Sequence, residues 1–386
     1  MAEMPLSELK LTFVDSISQL EEHQFNQLIK TDYPFIQYDF LDALENSNCV
    51  SVSTGWQPKH LAAYVKDRLI GFVPLYLKTH SYGEYVFDFQ WANAYQQSGL
   101  SYYPKLLTAI PFTPCTGPRL IVAEEYGDQL SHMMMLAILD ELERLQVSSY
   151  HLLFPSASDN TFDEPKTKLL ERIGTQYHWY NQSYANFDEF LNRCKMKQRK
   201  NIKRERKAIF ESNIELRIIE GDEITQELWS AFFYFYRLTY AKRSGNAGYL
   251  SQSFFTELGK TMPQNLMMAV ANVSDQIVAA SLFFKDSDTL YGRYWGTSVE
   301  IEYLHFELCY YQGIEYCINN SLKHFDAGAQ GEHKIQRGFE PIETYSYHWI
   351  KDVRFRDAIQ HFLAEESLVV KKNAQYLSKK LPYKLT

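Results

Sequence analysis

The sequence predicts an α/β protein with mixed sheets, built as two similar halves. Three observations lead there: one succession of elements is readable twice, the composition is that of an ordinary globular chain, and the length suits two domains. Of 386 residues, 45% are hydrophobic and 22% charged, which excludes collagen, coiled coil and disorder as descriptions of the whole. At roughly 100–200 residues per domain the length favours two. Tyrosine and phenylalanine number 28 and 25, large apolar side chains suited to buried sheets and grooves.

In the first half, residues 9–15 read as a strand. The periods of Leu20, Phe25 and Leu28, then of Phe40, Leu41 and Leu44, read as two helices. Apolar runs on either side of Lys66-Asp67-Arg68 form a hairpin signal, and residues 85–91 read as a third strand ending on Trp91. An insertion rich in Pro and Tyr precedes a helix over 133–145 and a strand over 150–154. The second half repeats the order. Strand 214–219, helices around 228–240 and 254–258, and a hairpin about Ser274-Asp275-Gln276 lead to a third strand ending on Trp295. A helix over 304–318 and a strand over 324–327 follow. Leu304, Leu308, Tyr311, Ile314 and Ile318 recur at helical spacing with Phe306, Tyr310 and Cys317 beside them, so this helix should be buried.

Strand, two helices, three antiparallel strands, helix, strand is the layout of the GNAT acyltransferase fold. Two copies in one chain is the layout of the FemABX-type transferases. The expected domains are residues 1–182, 183–211 as a basic helix linking the halves, and 212–386, which carries the active site.

Particular words of the sequence carry a resemblance. Gly55-Trp56-Gln57-Pro58-Lys59-His60-Leu61, Pro74-Leu75-Tyr76-Leu77-Lys78-Thr79-His80-Ser81-Tyr82-Gly83-Glu84, Tyr102-Tyr103-Pro104-Lys105-Leu106, Pro111-Phe112-Thr113-Pro114, Tyr294-Trp295-Gly296, Leu304-His305-Phe306-Glu307 and Gly328-Ala329-Gln330-Gly331-Glu332-His333-Lys334 resemble the FemAB-like (peptidoglycan biosynthesis/recognition) family of the GNAT superfamily. The likeness runs from about Gly55 to Trp349. It implies an N-acyltransferase that moves an acyl or aminoacyl group from acyl-CoA or aminoacyl-tRNA to an amine, on a small or peptide-like acceptor.

Such chemistry needs a base for the amine, donors for a developing oxyanion and a cradle for phosphate. The richest polar cluster is Gln330, Glu332, His333, Lys334 and Arg337 among Gly328, Gly331 and Gly338, directly after the strand over 324–327. Glu332 and His333 are alternative bases; Lys334 and Arg337 would hold anionic groups. The plain alternative is a glycine turn with a solvated charged loop. His305 and Glu307 open the buried helix as further catalytic candidates, although a lone histidine there also suits a core position. Arg293 and Trp295 on the third strand, and Asp88 in the first half, are candidates to line the groove. Their alternative roles are ion pairing and packing.

The usual acyl-CoA loop, Gln/Arg-x-x-Gly-x-Gly/Ala, is missing from both halves, so a non-catalytic binding module for a peptide-like or anionic ligand stays open beside the enzyme. No dinucleotide or Walker loop and no serine elbow occurs. His305 and Cys309 stand four apart with no second pair, so no metal is expected.

Charge is uneven. The chain carries −8, but residues 193–207 hold nine basic residues and one acid, leaving −16 on the rest. Asn186 with Glu189 signals a helix start. The helix behind it, with Arg199, Lys200, Lys203 and Arg204, is either a solvated linker or a phosphate reader, with tRNA as the candidate partner. Five widely spaced cysteines, no apolar run longer than a strand, and a start without a leader pattern point to a cytoplasmic protein with no membrane span.

Overall fold

The computed structural model describes residues 8–156 and 168–384. The start searched above for a leader, residues 1–7, lies outside the described residues. Two compact units result: residues 1–174 with 344–371, and residues 175–343 with 372–386. The sequence divides the chain at 182 and 211. Contacts divide it at 174, place the basic segment in the second unit, and return residues 344–371 to the first.

The first unit runs β1 (Leu9–Val14), α1 (Glu22–Leu28), α2 (Tyr38–Asn46), β2 (Trp56–Pro58), β3 (His60–Val65), β4 (Arg68–Val73), β5 (Leu75–Lys78), α3 (Phe89–Gln97), β6 (Lys105–Thr108), β7 (Ile121–Val122), α4 (Gly127–Leu145) and β8 (Ser149–Leu153). β1, β3, β4 and β7 pair antiparallel in that order. β2, β5 and β6 do likewise, and β6 runs parallel to β8. The third strand is therefore supplied by β6 and β7, and the expectation for residues 85–91 is corrected. Trp91 and Tyr95 lie on α3, packed with Tyr102, Ile350 and Ile359. Alternating Phe87, Phe89 and Trp91 mimic a strand, but the four-residue step from Trp91 to Tyr95 sets a buried helical face.

Asp88, at the start of α3, does not line a groove. Its Oδ2 accepts from Lys105 Nζ at 2.5 Å and Tyr102 Oη at 2.6 Å, while Glu84 Oε2 accepts from the same ammonium at 2.7 Å. Lys105, Glu84 and Asp88 are all buried. His151 contacts Tyr102 at 3.1 Å and His348 at 2.6 Å.

The second unit begins inside β9 (Leu170–Tyr180). It continues through α5 (Phe187–Arg193), α6 (Met196–Glu211), β10 (Ile214–Glu220), α7 (Gln226–Ser244), α8 (Gln252–Thr261), β11 (Leu266–Val273), β12 (Gln276–Lys285) and β13 (Thr289–Thr297). Then come α9 (Leu304–Phe306), a π-helical turn (Glu307–Tyr311), α10 (Gln312–Asn319), β14 (His324–Asp326) and a 3-10 helix (Glu332–Arg337). β15 (Glu340–Ile350) and α11 (Val353–Ser378) complete the described elements. β10 to β13 form an antiparallel sheet, and β13 pairs parallel with β14, the order expected of a GNAT unit. Asn186 caps α5 as expected, its Oδ1 accepting from Glu189 N at 2.9 Å. The basic helix is not continuous. It breaks at Cys194, which bridges to Tyr383, and Lys195 N bonds Pro382 O.

Close backbone packing explains Tyr294-Trp295-Gly296. A Cβ on Gly296 would sit 2.3 Å from the carbonyl carbon and oxygen of Phe235 on α7. Gly296→Ala should therefore cost about 1–3 kcal/mol by overpacking, read as a lower urea midpoint. An unchanged midpoint would show that α7 does not press on β13.

Burial pushes His151 down to about 3 and His178 down to about 4, and holds His348 well below its ordinary range. The folded chain keeps these rings neutral, whereas the unfolded chain protonates them below about pH 6.5. Their contribution is thus present above pH 6.5 and is lost as pH falls toward the folded values. Tm should fall steadily from pH 7 to pH 4; a flat profile over that range would contradict the neutral assignment.

Candidate active site

The site is built where two parallel strands part. β13 and β14 pair over Thr289–His324, Leu290–Phe325 and Tyr291–Asp326. β14 then ends, while β13 continues to Thr297 along β12. A register shift between Leu282 and Phe283 skips Arg293, which bulges from β13. Past β14, Asp326 Oδ1 accepts from Gly328 N at 2.8 Å. Gly328, Gly331 and Gly338 all have positive φ (88°, 114° and 97°), so the chain doubles back and winds the 3-10 helix between the last two.

That helix delivers Lys334 into the interior. Its side chain is 2% exposed, and Nζ donates to Gly328 O at 2.6 Å. Burial pulls the Lys334 ammonium down to about 8, with Asp326 opposing and Arg293 reinforcing the drop. His333, exposed on one side, places Nε2 2.8 Å from Tyr310 Oη. His305 lies against Trp295 and Tyr310, ring centroids 5.3 Å away in each case, and 6.3 Å from His333.

The electrostatics set the protonation states. Burial, helped by Arg337, Lys334 and Arg243, holds His333 below its ordinary value. Burial, helped first by His333, pushes His305 down to about 3. Burial raises Tyr310 far above the usual phenol range. At neutral pH the pair is a neutral imidazole and a protonated phenol, the states that accept and donate a proton.

Trp295, His305, His333, Lys334 and Arg337 are thus gathered about Phe306 and Tyr310. Arg337 is committed inside the fold. Nη2 donates to both Glu205 oxygens at 2.9 Å, Nη1 donates to His333 O at 2.9 Å, and Cζ lies 3.5 Å from the Phe306 centroid. Glu205 Oε2 also accepts from Tyr311 Oη. Glu307 is turned to other partners: Oε1 accepts from Arg206 Nε at 3.2 Å and Gln312 Nε2 at 2.8 Å. Burial raises its carboxyl, against Arg206. Gln330 and Glu332 are exposed. On α6, Lys200, Lys203 and Arg204 are exposed and Arg199 is half-buried, its Nη1 on Asn192 Oδ1.

Sequence reasoning missed Tyr310 and Glu205. The run 304–318 reads as one helix, but the π-helical turn from Glu307 to Tyr311 interrupts it and brings His305 onto Tyr310, five residues on. The first unit offers a cavity of about 420 Å3 whose lining includes His80, Ser81, Tyr82, Phe89 and Tyr103. None of the candidate catalytic or binding residues chosen from sequence lines it, although His80, Ser81, Tyr82, Tyr102 and Tyr103 of the resemblance blocks do.

Glu205→Ala should leave the Arg337 cation buried without its carboxylate, at a cost of about 3–5 kcal/mol in urea unfolding. A loss below 1 kcal/mol, the ordinary value for a surface pair, would mean that solvent already screens the pair.

The comparisons agree on fold. The FemAB-like family, described as peptidoglycan biosynthesis/recognition, matches residues 16–385. FemX superposes at a TM-score of 0.51 with 10% identity, covering 91% of this chain and 100% of that one. The C-terminal domain of a protein described as a lysylphosphatidylglycerol synthetase from Agrobacterium fabrum gives 0.53 with 7% identity, covering 92% and 98%. A Bacteroides thetaiotaomicron protein of unknown function gives 0.50 with 10% identity, covering 89% and 100%. No curated protein matches. The chain carries two GNAT-like domains in tandem. Among the described residues, no helix is long and apolar enough to cross a membrane.

Proposed function

Because the chain belongs to the FemAB-like family, we propose that its second unit transfers an acyl or aminoacyl group from an activated carrier to an amine. The observation that supports this most is the His333–Tyr310 pair beside the parting of β13 and β14, with the Lys334 ammonium behind it.

In the proposed reaction, His333 takes a proton from the acceptor amine as its nitrogen attacks the carbonyl carbon of the donor. The carbon–nitrogen bond forms, negative charge gathers on the carbonyl oxygen, and Lys334 stabilises it from a buried position where charge acts strongly. Collapse breaks the carbon–sulfur or carbon–oxygen bond to the carrier. The leaving thiol or hydroxyl takes a proton from Tyr310, which recovers one from the His333 imidazolium through their shared hydrogen bond. Trp295 and His305 wall the site, and Arg337 positions the loop through His333 O. Glu332 and Gln330, both exposed, reach only the acceptor's outer parts, and Arg293 at its bulge flanks the donor. Glu307 acts through Arg206 rather than on substrate.

The carrier is a thioester of coenzyme A or an aminoacyl-tRNA ester. The connection before α9 bears exposed Glu300 and Glu302, with Lys242 on Glu300 at 3.2 Å. That charge disfavours a pyrophosphate there and supports the ester. Both carriers are cytoplasmic compounds, so the reading expects a cytoplasmic reaction, on a small or peptide-like amine.

Single-turnover assays with acyl-CoAs and aminoacyl-tRNAs test the proposal. His333→Asn should lower the rate about 10²–10⁴-fold, the usual worth of a positioned base, while Glu332→Gln stays within a few-fold of the parent. Tyr310→Phe should slow carrier release. Turnover that survives His333→Asn but dies with Glu332→Gln would reject His333 as base. Saturable binding of every carrier without any transfer would favour a non-catalytic module.

A further inference from the structure

The α6 helix carries a stripe that the transfer reaction does not use. Met196, Lys200, Lys203, Lys207 and Phe210 follow one another at steps of four and three, so they lie along one face of a straight helix. Met196 is 63% exposed and Phe210 67%. Lys203 and Lys207 are also open to solvent and pair only with exposed acids, Asp188 at 3.1 Å and Glu211 at 3.3 Å. Such pairs contribute little and yield readily to a stronger anion. The opposite face is the docked one. Ile202, Glu205 and Ile209 are buried, and Arg206 reaches Glu307 and Glu315. The stripe therefore points away from its own unit.

The chain's end enlarges this surface. Lys195 Nζ bonds Leu381 O, Lys384 N bonds Arg193 O, and Lys384 Nζ bonds Asn192 O. Residues 381–384 are thereby held beside the start of α6, and Lys379, Lys380 and Lys384 on this stretch are exposed. Residues 193–207 carry +8 while the remainder carries −16. An anionic surface would repel most of the molecule and accept this face.

We infer that α6 lays the second unit on an anionic phospholipid surface, with the lysines on the headgroups and Phe210 and Met196 set into the interface. The apolar pair is what favours a bilayer over RNA. Two exposed apolar side chains about 21 Å apart, one at each end of a basic row, match a flat boundary that takes charge and hydrocarbon together. The row between them is lysine throughout, a point charge for headgroups rather than the planar fork that reads nucleic acid. The contact is peripheral and reversible, and it does not rest on the transferase reading.

Co-sedimentation of the full chain with vesicles tests it. Phosphatidylcholine vesicles containing phosphatidylglycerol should retain the protein, and pure phosphatidylcholine should not. Lys200→Ser, Lys203→Ser and Lys207→Ser together should weaken retention roughly a hundredfold, from the worth of each surface lysine. Phe210→Ser alone, with charge and Tm unchanged, should weaken it about tenfold. Equal retention on both vesicles, or none on either, would overturn the inference. So would a Phe210→Ser variant that binds like the parent, or a protein that leaves anionic vesicles unbound yet is held by immobilised tRNA.

Discussion

The Arg337–Glu205–Tyr311 knot is the interaction on which the second unit's site depends. Glu205 is the one acid in the basic run 193–207, and it is buried. Its two oxygens take Arg337 from the glycine-rich loop and Tyr311 from the π-helical turn, so a single carboxylate ties three segments together. Arg337 then holds the carbonyl of His333 with its other terminal nitrogen. The imidazole is therefore fixed against Tyr310 by a cation held inside the fold. A buried charge pair is costly to desolvate and is kept where it sets geometry; here it sets that of the proposed base.

The two copies differ in the charged groups that stand beside their parallel strand pairs. In the second unit, β13 and β14 part beside a loop that carries an imidazole, a phenol and a lysine pulled down to about 8. In the first unit, β6 and β8 are the parallel pair, and Lys105 at the start of β6 is closed off by Glu84 and Asp88. Asp88 is held low, Lys105 is raised by the same carboxylates, and His151 stays neutral beside them. That cluster is buried and held by its own ion pairs, with Glu84 Oε1 and Asp88 Oδ1 left without a hydrogen-bond partner among the described residues, whereas in the second unit the His333 imidazole is open to solvent.

Much of this was legible in the sequence. Continuous apolar runs about a polar turn located β11 and β12, which are buried on both faces, and helical spacing located the helices around them. The Gly328–Arg337 loop stood out because glycines and titratable groups crowd together there. Three things were hidden. Alternating Phe87, Phe89 and Trp91 satisfy both strand and helix, and only distant Ile350 and Ile359 decide it. A π-helical turn changes which carbonyl a backbone N–H meets, not the spacing of apolar residues, so His305 over Tyr310 could not be read. The pairing of Glu205 with Arg337 joins residues 132 apart, and composition cannot say which acid of a basic helix turns inward.

The most direct test is ¹⁵N NMR of the His333 imidazole in the parent chain and in Glu205→Gln. At pH 7 the account predicts a neutral ring with Nε2 in a hydrogen bond to Tyr310 and a titration midpoint below the ordinary histidine value. In Glu205→Gln that signature should disappear as the loop loosens. A ring that titrates ordinarily in the parent, or one unaffected by the substitution, would contradict the claim that the buried knot prepares the base.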